Sequence, residues 1–267
     1  MQKKRLIFTL LYNNGNFMLS RNFRLQQVGN INWVENQYNF KDIAFSIDEL
    51  IILDVSRNKR DCDKFCETVR KLIRNIFVPI ALGGGITNAE TARKYFRSGA
   101  DKIILNTALT GDSLLVNRLI KEYGSQAIVA SVDFTLKDGE LIILKENGKN
   151  IINMTFHNYT QYLNELGVGE IYLNSIDRDG TGQGYMFDRV EQYFDVFKSP
   201  VIISGGAGNA THFIEAARHT KINAVATANL FNFIGKALPE ARETMVEAGI
   251  NMSYFQPMSS MEVIRDK

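Results

Sequence analysis

One stretch of this chain is written twice. Leu82-Gly83-Gly84-Gly85-Ile86, followed by Gly99-Ala100-Asp101-Lys102 and Asn106-Thr107, returns about 121 residues later as Ser204-Gly205-Gly206-Ala207-Gly208, then Asn223-Ala224 and Ala228-Asn229. Asp48-Glu49-Leu50-Ile51-Ile52-Leu53-Asp54 returns as Gly169-Glu170-Ile171-Tyr172-Leu173 and Asp177. A repeat of this length is half a domain, longer than a solenoid unit, so the fold has to be built from two like halves. One word differs. Leu11 in the first half stands where the second has Asp133, each at the end of an equivalent predicted strand.

Eight short apolar runs alternate with amphipathic stretches. The runs lie at 6–11, 49–54, 79–82, 102–106, 127–133, 170–174, 200–204 and 224–228. They are continuous rather than alternating in polarity, as strands buried on both faces of a parallel sheet are. The helical patterns fall between them, at 62–74, 88–98, 114–123, 159–165, 186–197 and 210–219, and Asn88 and Asn209 offer N-caps. Eight such units make an α/β fold of the (β/α)8 TIM-barrel type with a two-fold half-barrel repeat; a doubly wound open sheet leaves the repeat unexplained. The expected organisation is one domain over 1–267, with half-barrels at about 1–123 and 124–250. A hairpin is expected at about 138–152, where Asn147-Gly148 separates two β-rich runs on the C-terminal face.

Bulk composition excludes several classes. An apolar share of 45% suffices for a core, and a net charge of +2 gives no general attraction to nucleic acid or membrane. Residues 6–11 are too short for a signal h-region, and no run reaches a membrane span. The two cysteines, Cys62 and Cys66, with three histidines in the whole chain, make a poor zinc set. Free thiols and a cytoplasmic location are expected, with no metal and no cofactor.

The glycine clusters carry chemistry. Each leaves a strand and runs into a helix, so its backbone can approach an anion that the helix start also favours. Gly84 and Gly85 with Asn106 and Thr107 form one candidate phosphate site; Gly205 and Gly206 with Ala228 and Asn229 form the other. Two such sites suit a phosphorylated small molecule with two phosphates. The competing reading is that the glycines only make tight turns.

These residues, with Ser175-Ile176-Asp177-Arg178-Asp179-Gly180-Thr181 and Lys4-Arg5-Leu6-Ile7, resemble the cyclase subunit of imidazole glycerol phosphate synthase, the HisF type, nearly end to end. The resemblance implies a barrel that takes ammonia from a glutaminase partner of the HisH type, cleaves a bis-phosphate ribonucleotide and closes an imidazole ring. It adds Asp179 and Gly180 to the phosphate-binding residues. It implies an ammonia gate at Arg5, Glu49, Lys102 and Glu170, each expected at the N-terminal end of a strand, one from each alternate strand. Two cations and two anions can satisfy one another there, as buried charges must. Asp101 matches a position facing the glutaminase.

The departures are patterned. The cyclase uses two aspartates across its pocket as acid and base. Asp133 matches one; Leu11 replaces the other and can neither take nor give a proton. Leu19 replaces a loop lysine, with Arg21 and Arg24 nearby, and Asn174 and Asn229 replace small hydroxyl residues. Leu10-Leu11 and Leu53-Asp54-Val55-Ser56-Arg57 resemble a paralogous branch that serves surface-glycan and lipopolysaccharide biosynthesis. In that branch the barrel and a glutaminase are thought to supply ammonia to an ATP-using enzyme, which converts an N-acetyl group on a sugar to acetamidino. The alternatives are a true cyclase of histidine biosynthesis with Asp54 or Asp179 as substitute acid, a non-catalytic scaffold for the glutaminase, and a sugar isomerase of the same half-barrel type.

Overall fold

The computed structural model describes residues 3–37, 45–229 and 235–253. Among these residues there are twelve strands: β1 (Arg5–Asn13), β2 (Asn16–Arg21), β3 (Arg24–Gly29), β4 (Glu49–Asp54), β5 (Ile80–Gly83), β6 (Lys102–Leu105), β7 (Ile128–Lys137), β8 (Glu140–Lys145), β9 (Asn150–Ile151), β10 (Glu170–Ser175), β11 (Val201–Ser204) and β12 (Ile222–Thr227). Eight pair in parallel in the order β1-β4-β5-β6-β7-β10-β11-β12, and β12 returns to β1. The sheet closes on itself as a (β/α)8 barrel, as the alternation of runs predicts.

Helices follow the strands where caps mark their starts. Asp61, Asn88, Asp112, Thr155 and Asn209 each accept a bond from the N–H three residues on, opening helices at Cys62–Leu72, Ala89–Arg97, Ser113–Tyr123, Phe156–Leu166 and Ala210–Arg218. The stretch 186–197 is not one helix: Phe187–Val190 is a single α-turn, followed by a 3-10 turn at Glu191–Tyr193.

Strand residues alternate between two apolar compartments. Leu6, Phe8, Leu10, Ile52 and Leu82 face the helices. Ile7, Ile51, Ala81, Ile104, Val129, Tyr172, Ile202, Ala224 and Ala226 fill the barrel axis, all 4% exposed or less. The interior is thus a packed core rather than a pore.

The first strand of each half outruns the barrel rim and is extended by antiparallel strands, β1 by β2 and β3, β7 by β8 and β9. The hairpin expected at 138–152 is therefore welded to the barrel, through a turn at Asp138 and Gly139, both at positive φ. The β2–β3 hairpin was not foreseen. Its own turn is Asn22-Phe23, at φ 50° and 60°, which carries no glycine; Asn14-Gly15, at φ 48° and 99°, makes the β1–β2 turn and is the dipeptide type that announces the other hairpin.

Candidate active site

The C-terminal strand ends surround a cavity of about 460 Å³. Every residue read as phosphate-binding lines it, and so do Asp133 and Leu11. Both glycine turns fold back over the preceding strand in the same way. A Cβ on Gly84 would collide with the carbonyl oxygen of Asp54, and one on Gly205 would lie 2.5 Å from that of Ser175. Both glycines sit at positive φ, 94° and 85°. The turns are thus sterically required whether or not an anion binds.

Asp133 is the chemical centre of the polar wall. It is 8% exposed and takes bonds from Asn106 Nδ2 (3.2 Å), Asn174 Nδ2 (3.3 Å) and Ser131 Oγ (3.3 Å). Burial raises its pKa to about 7, against the pull of the Asn174 and Ser131 hydrogen bonds. Leu11 and Leu53 line the same cavity from β1 and β4, paired as Cα partners. Asp133 and Asn174 are partners in the same way on β7 and β10.

Two expected phosphate ligands are engaged otherwise. The Asn106 amide donates to Asp133 and to the carbonyl oxygens of Ser131 and Leu144, so it orients the carboxylate. The Asp179 carboxylate, an acceptor by nature, takes the Ser20 hydroxyl and the Phe23 N–H, while Asn22 N–H donates to the Asp179 carbonyl. It fastens the β2–β3 hairpin across the rim. Gly180 permits this, because a Cβ there would strike the Ser20 carbonyl. Burial raises the Asp179 pKa. Asp54, the other substitute acid considered, faces Arg60 Nε at 3.8 Å and accepts from Ser56 N–H. Neither carboxylate stands at the place of Leu11.

At the opposite barrel end, Arg5, Glu49, Lys102 and Glu170 form a closed ring. Arg5 reaches Glu49 Oε2 at 2.6 Å and Glu170 Oε1 at 2.5 Å; Lys102 reaches Glu49 Oε2 at 2.9 Å and Glu170 Oε2 at 2.7 Å. They do not come from alternate strands: in barrel order they stand on the first, second, fourth and sixth. The inward position on the eighth is Ala224, the Cα partner of Arg5, and its small side chain leaves room that the long arginine fills. Glu49 Oε1 is buried with no hydrogen-bond partner among the described residues. Burial raises the Glu49 pKa, opposed by Arg5 and Lys102.

Asp101 is exposed beside this ring, but one of its oxygens accepts the Ile80 N–H at 2.8 Å. Asp48 does the same for Leu6 and Asn223 for Val201. Asp48 also forms a buried two-pronged pair with Arg242, at 2.8 and 3.1 Å, tying the ring strands to the C-terminal helix Ala237–Glu247. Sequence reasoning missed this clamp. The recurrence of Asp or Asn at the start of a strand was its local trace.

Residues 26–236 match the family model described as histidine biosynthesis protein. The chain belongs to that family. It is 44% identical over 243 residues to the putative imidazole glycerol phosphate synthase subunit hisF2 of Parasynechococcus marenigrum, covering 91% of this chain and 90% of the relative. It is 36% identical over 251 residues to the imidazole glycerol phosphate synthase subunit HisF of Chlorobaculum parvum, covering 94% and 98%. For HisF of Chlorobaculum tepidum the identity is 34%, covering 94% and 99%. Within the histidine-biosynthesis family this is a HisF-type barrel. Among the described residues no group of three or more His, Cys, Asp or Glu is placed to hold a metal ion, and no helix is long and apolar enough to cross a membrane.

Proposed function

We propose that this barrel receives ammonia from a glutaminase partner at the ring of four charges and supports amidation of a sugar, forming an acetamidino group in surface-glycan biosynthesis. The observation that carries this reading is the pairing of a complete ring with a broken acid–base pair. The ring has each charge matched, and its one idle acceptor, Glu49 Oε1, lies buried where a molecule passing the ring would need a hydrogen-bond partner. Above it, Asp133 has no carboxylate opposite, only Leu11. A barrel in this state keeps the means to admit ammonia and lacks half the means to close an imidazole. The glycine turns then hold a phosphate-bearing ligand such as a nucleotide sugar, or serve as turns alone.

The second reading, a cyclase of histidine biosynthesis, draws on Asp133, whose pKa of about 7 suits a single group acting as acid and base in turn. Deleting the gene from the strain that encodes it separates the two. Loss of the acetamidino group from the surface glycan, with growth still independent of added histidine, is the expected result. A histidine requirement with an unchanged glycan would overturn the proposal.

A further inference from the structure

Between the ring and the upper cavity the barrel axis is filled by apolar side chains up to a layer of hydroxyls. Ile7, Ala81, Val129, Ile202 and Ala224 offer no side-chain hydrogen bond. Tyr172 belongs to the same cluster, is 2% exposed and also lines the floor of the cavity. Its hydroxyl lies 2.7 Å from Ser204 Oγ and 3.4 Å from Thr9 Oγ1. With Ser131, the Cα partner of Tyr172, they make the polar layer next above the ring.

The three hydroxyls are under-used. They carry three protons but make only two contacts with each other, one of them long, and none has a further partner among the described residues. At least one O–H and several lone pairs are left over. Burial lifts the phenol pKa to about 12, so Tyr172 stays protonated as donor and acceptor. On the neighbouring strand Ser131, the Cα partner of Tyr172, donates to Asp133. The hydroxyls thus lie on the way to the remaining carboxylate. The first half has no equivalent: Ile51 holds the position there, paired with Thr9 as Tyr172 is with Ser131.

We propose that Tyr172, Thr9 and Ser204 form a binding station for one ammonia molecule on the barrel axis, below Asp133. An O–H of the station donates to the ammonia lone pair, and the ammonia N–H groups donate to the hydroxyl oxygens. Neutral ammonia fits this mixed set, whereas the ammonium ion has no lone pair to offer and would lie unpaired among apolar groups. The inference deepens the ammonia-delivery reading and rests on it for its purpose, though not for its test.

The test labels the ten tyrosines with carbon-13 at Cζ and identifies Tyr172 by its loss in Tyr172→Phe. The full chain is titrated with ammonium chloride at pH about 9.5, where much of the salt is NH3, and at pH about 6.5, where nearly all is NH4+. Potassium chloride is the control. The expected result is a saturable shift of the Tyr172 signal at the higher pH alone, weakened roughly fivefold to tenfold in Ser204→Ala, as the loss of one hydrogen bond implies. A Tyr172 signal that stays still, or moves equally with potassium chloride, would mean water alone occupies the site and would overturn the station. The shift is an equilibrium property and does not depend on which end ammonia enters. A saturable shift in a barrel that receives no ammonia from a glutaminase would therefore overturn delivery and leave the station intact.

Discussion

At Gly84 in the first half and Gly205 in the second, the chain makes the same turn at the same cost: a glycine at positive φ pressed on the carbonyl of the strand before it. On the adjoining strand of each half it does opposite things. Leu11 and Leu53 present methyl groups to the cavity where Asp133 and Asn174 present a carboxylate and an amide. Ile51 and Tyr172 repeat the contrast one step deeper. Backbone geometry has been kept in both halves, and side-chain chemistry in the second alone. Sterics explain the first fact, since the turn cannot be made otherwise. The second shows that one barrel holds an apolar wall in its first half and a polar wall in its second.

The largest predicted effect sharpens the likeness. Gly84→Ala and Gly205→Ala should each cost about 3 kcal/mol or more in denaturant unfolding, because backbone must move to clear the Cβ. A small loss at one site would break the equivalence of the turns. Next comes a clamp that only the first half has. Asp48 pairs with Arg242, whereas its counterpart is Gly169, where a Cβ would strike the Ser125 carbonyl. Arg242→Met strands the Asp48 charge and should cost roughly 3–5 kcal/mol.

Much of this was legible beforehand. The glycine clusters and strand spacing fixed the barrel because they are local signals repeated twice. The charged ring was legible residue by residue, and the eight apolar runs already put its members on the first, second, fourth and sixth, against the alternate-strand expectation; what spacing does not reveal is the register by which Ala224 makes room for Arg5. The tasks of Asn106 and Asp179 were hidden for a like reason. Their partners, Asp133 and the β2–β3 hairpin, lie 27 and about 156 residues away.

The third prediction tests the polar wall through pH. The Asp133 pKa rises from the ordinary carboxylate value of 3.8 to about 7 on folding, so between those values the folded state holds more protons than the unfolded one. Stability contributed at this site is therefore present in acid and lost as pH rises toward 7 and stays lost above it. Asp133→Asn should stabilise the barrel by roughly a few kcal/mol at pH about 8, and not at pH about 4, in paired thermal unfolding. No difference between the two pH values would mean that Asp133 is better solvated than its burial shows. The smallest effect separates the hairpins. Ser56 accepts the Asn14 N–H, and at the matching place Asp177 accepts the Leu136 N–H and the Thr135 hydroxyl. Ser56→Ala should cost about 1 kcal/mol and Asp177→Ala about 2 kcal/mol.

The contrast between Leu11 and Asp133 is the centre of the account, and one assay meets it directly. The purified chain is given the bis-phosphate ribonucleotide of the cyclase reaction with excess ammonium salt at pH about 8.5, without a glutaminase, beside the Leu11→Asp variant. The account predicts no turnover by the natural chain and measurable turnover once the second carboxylate is restored, of the ~10²–10⁴-fold that a positioned acid or base contributes. Turnover of about 1 s⁻¹ or more by the natural chain would contradict it.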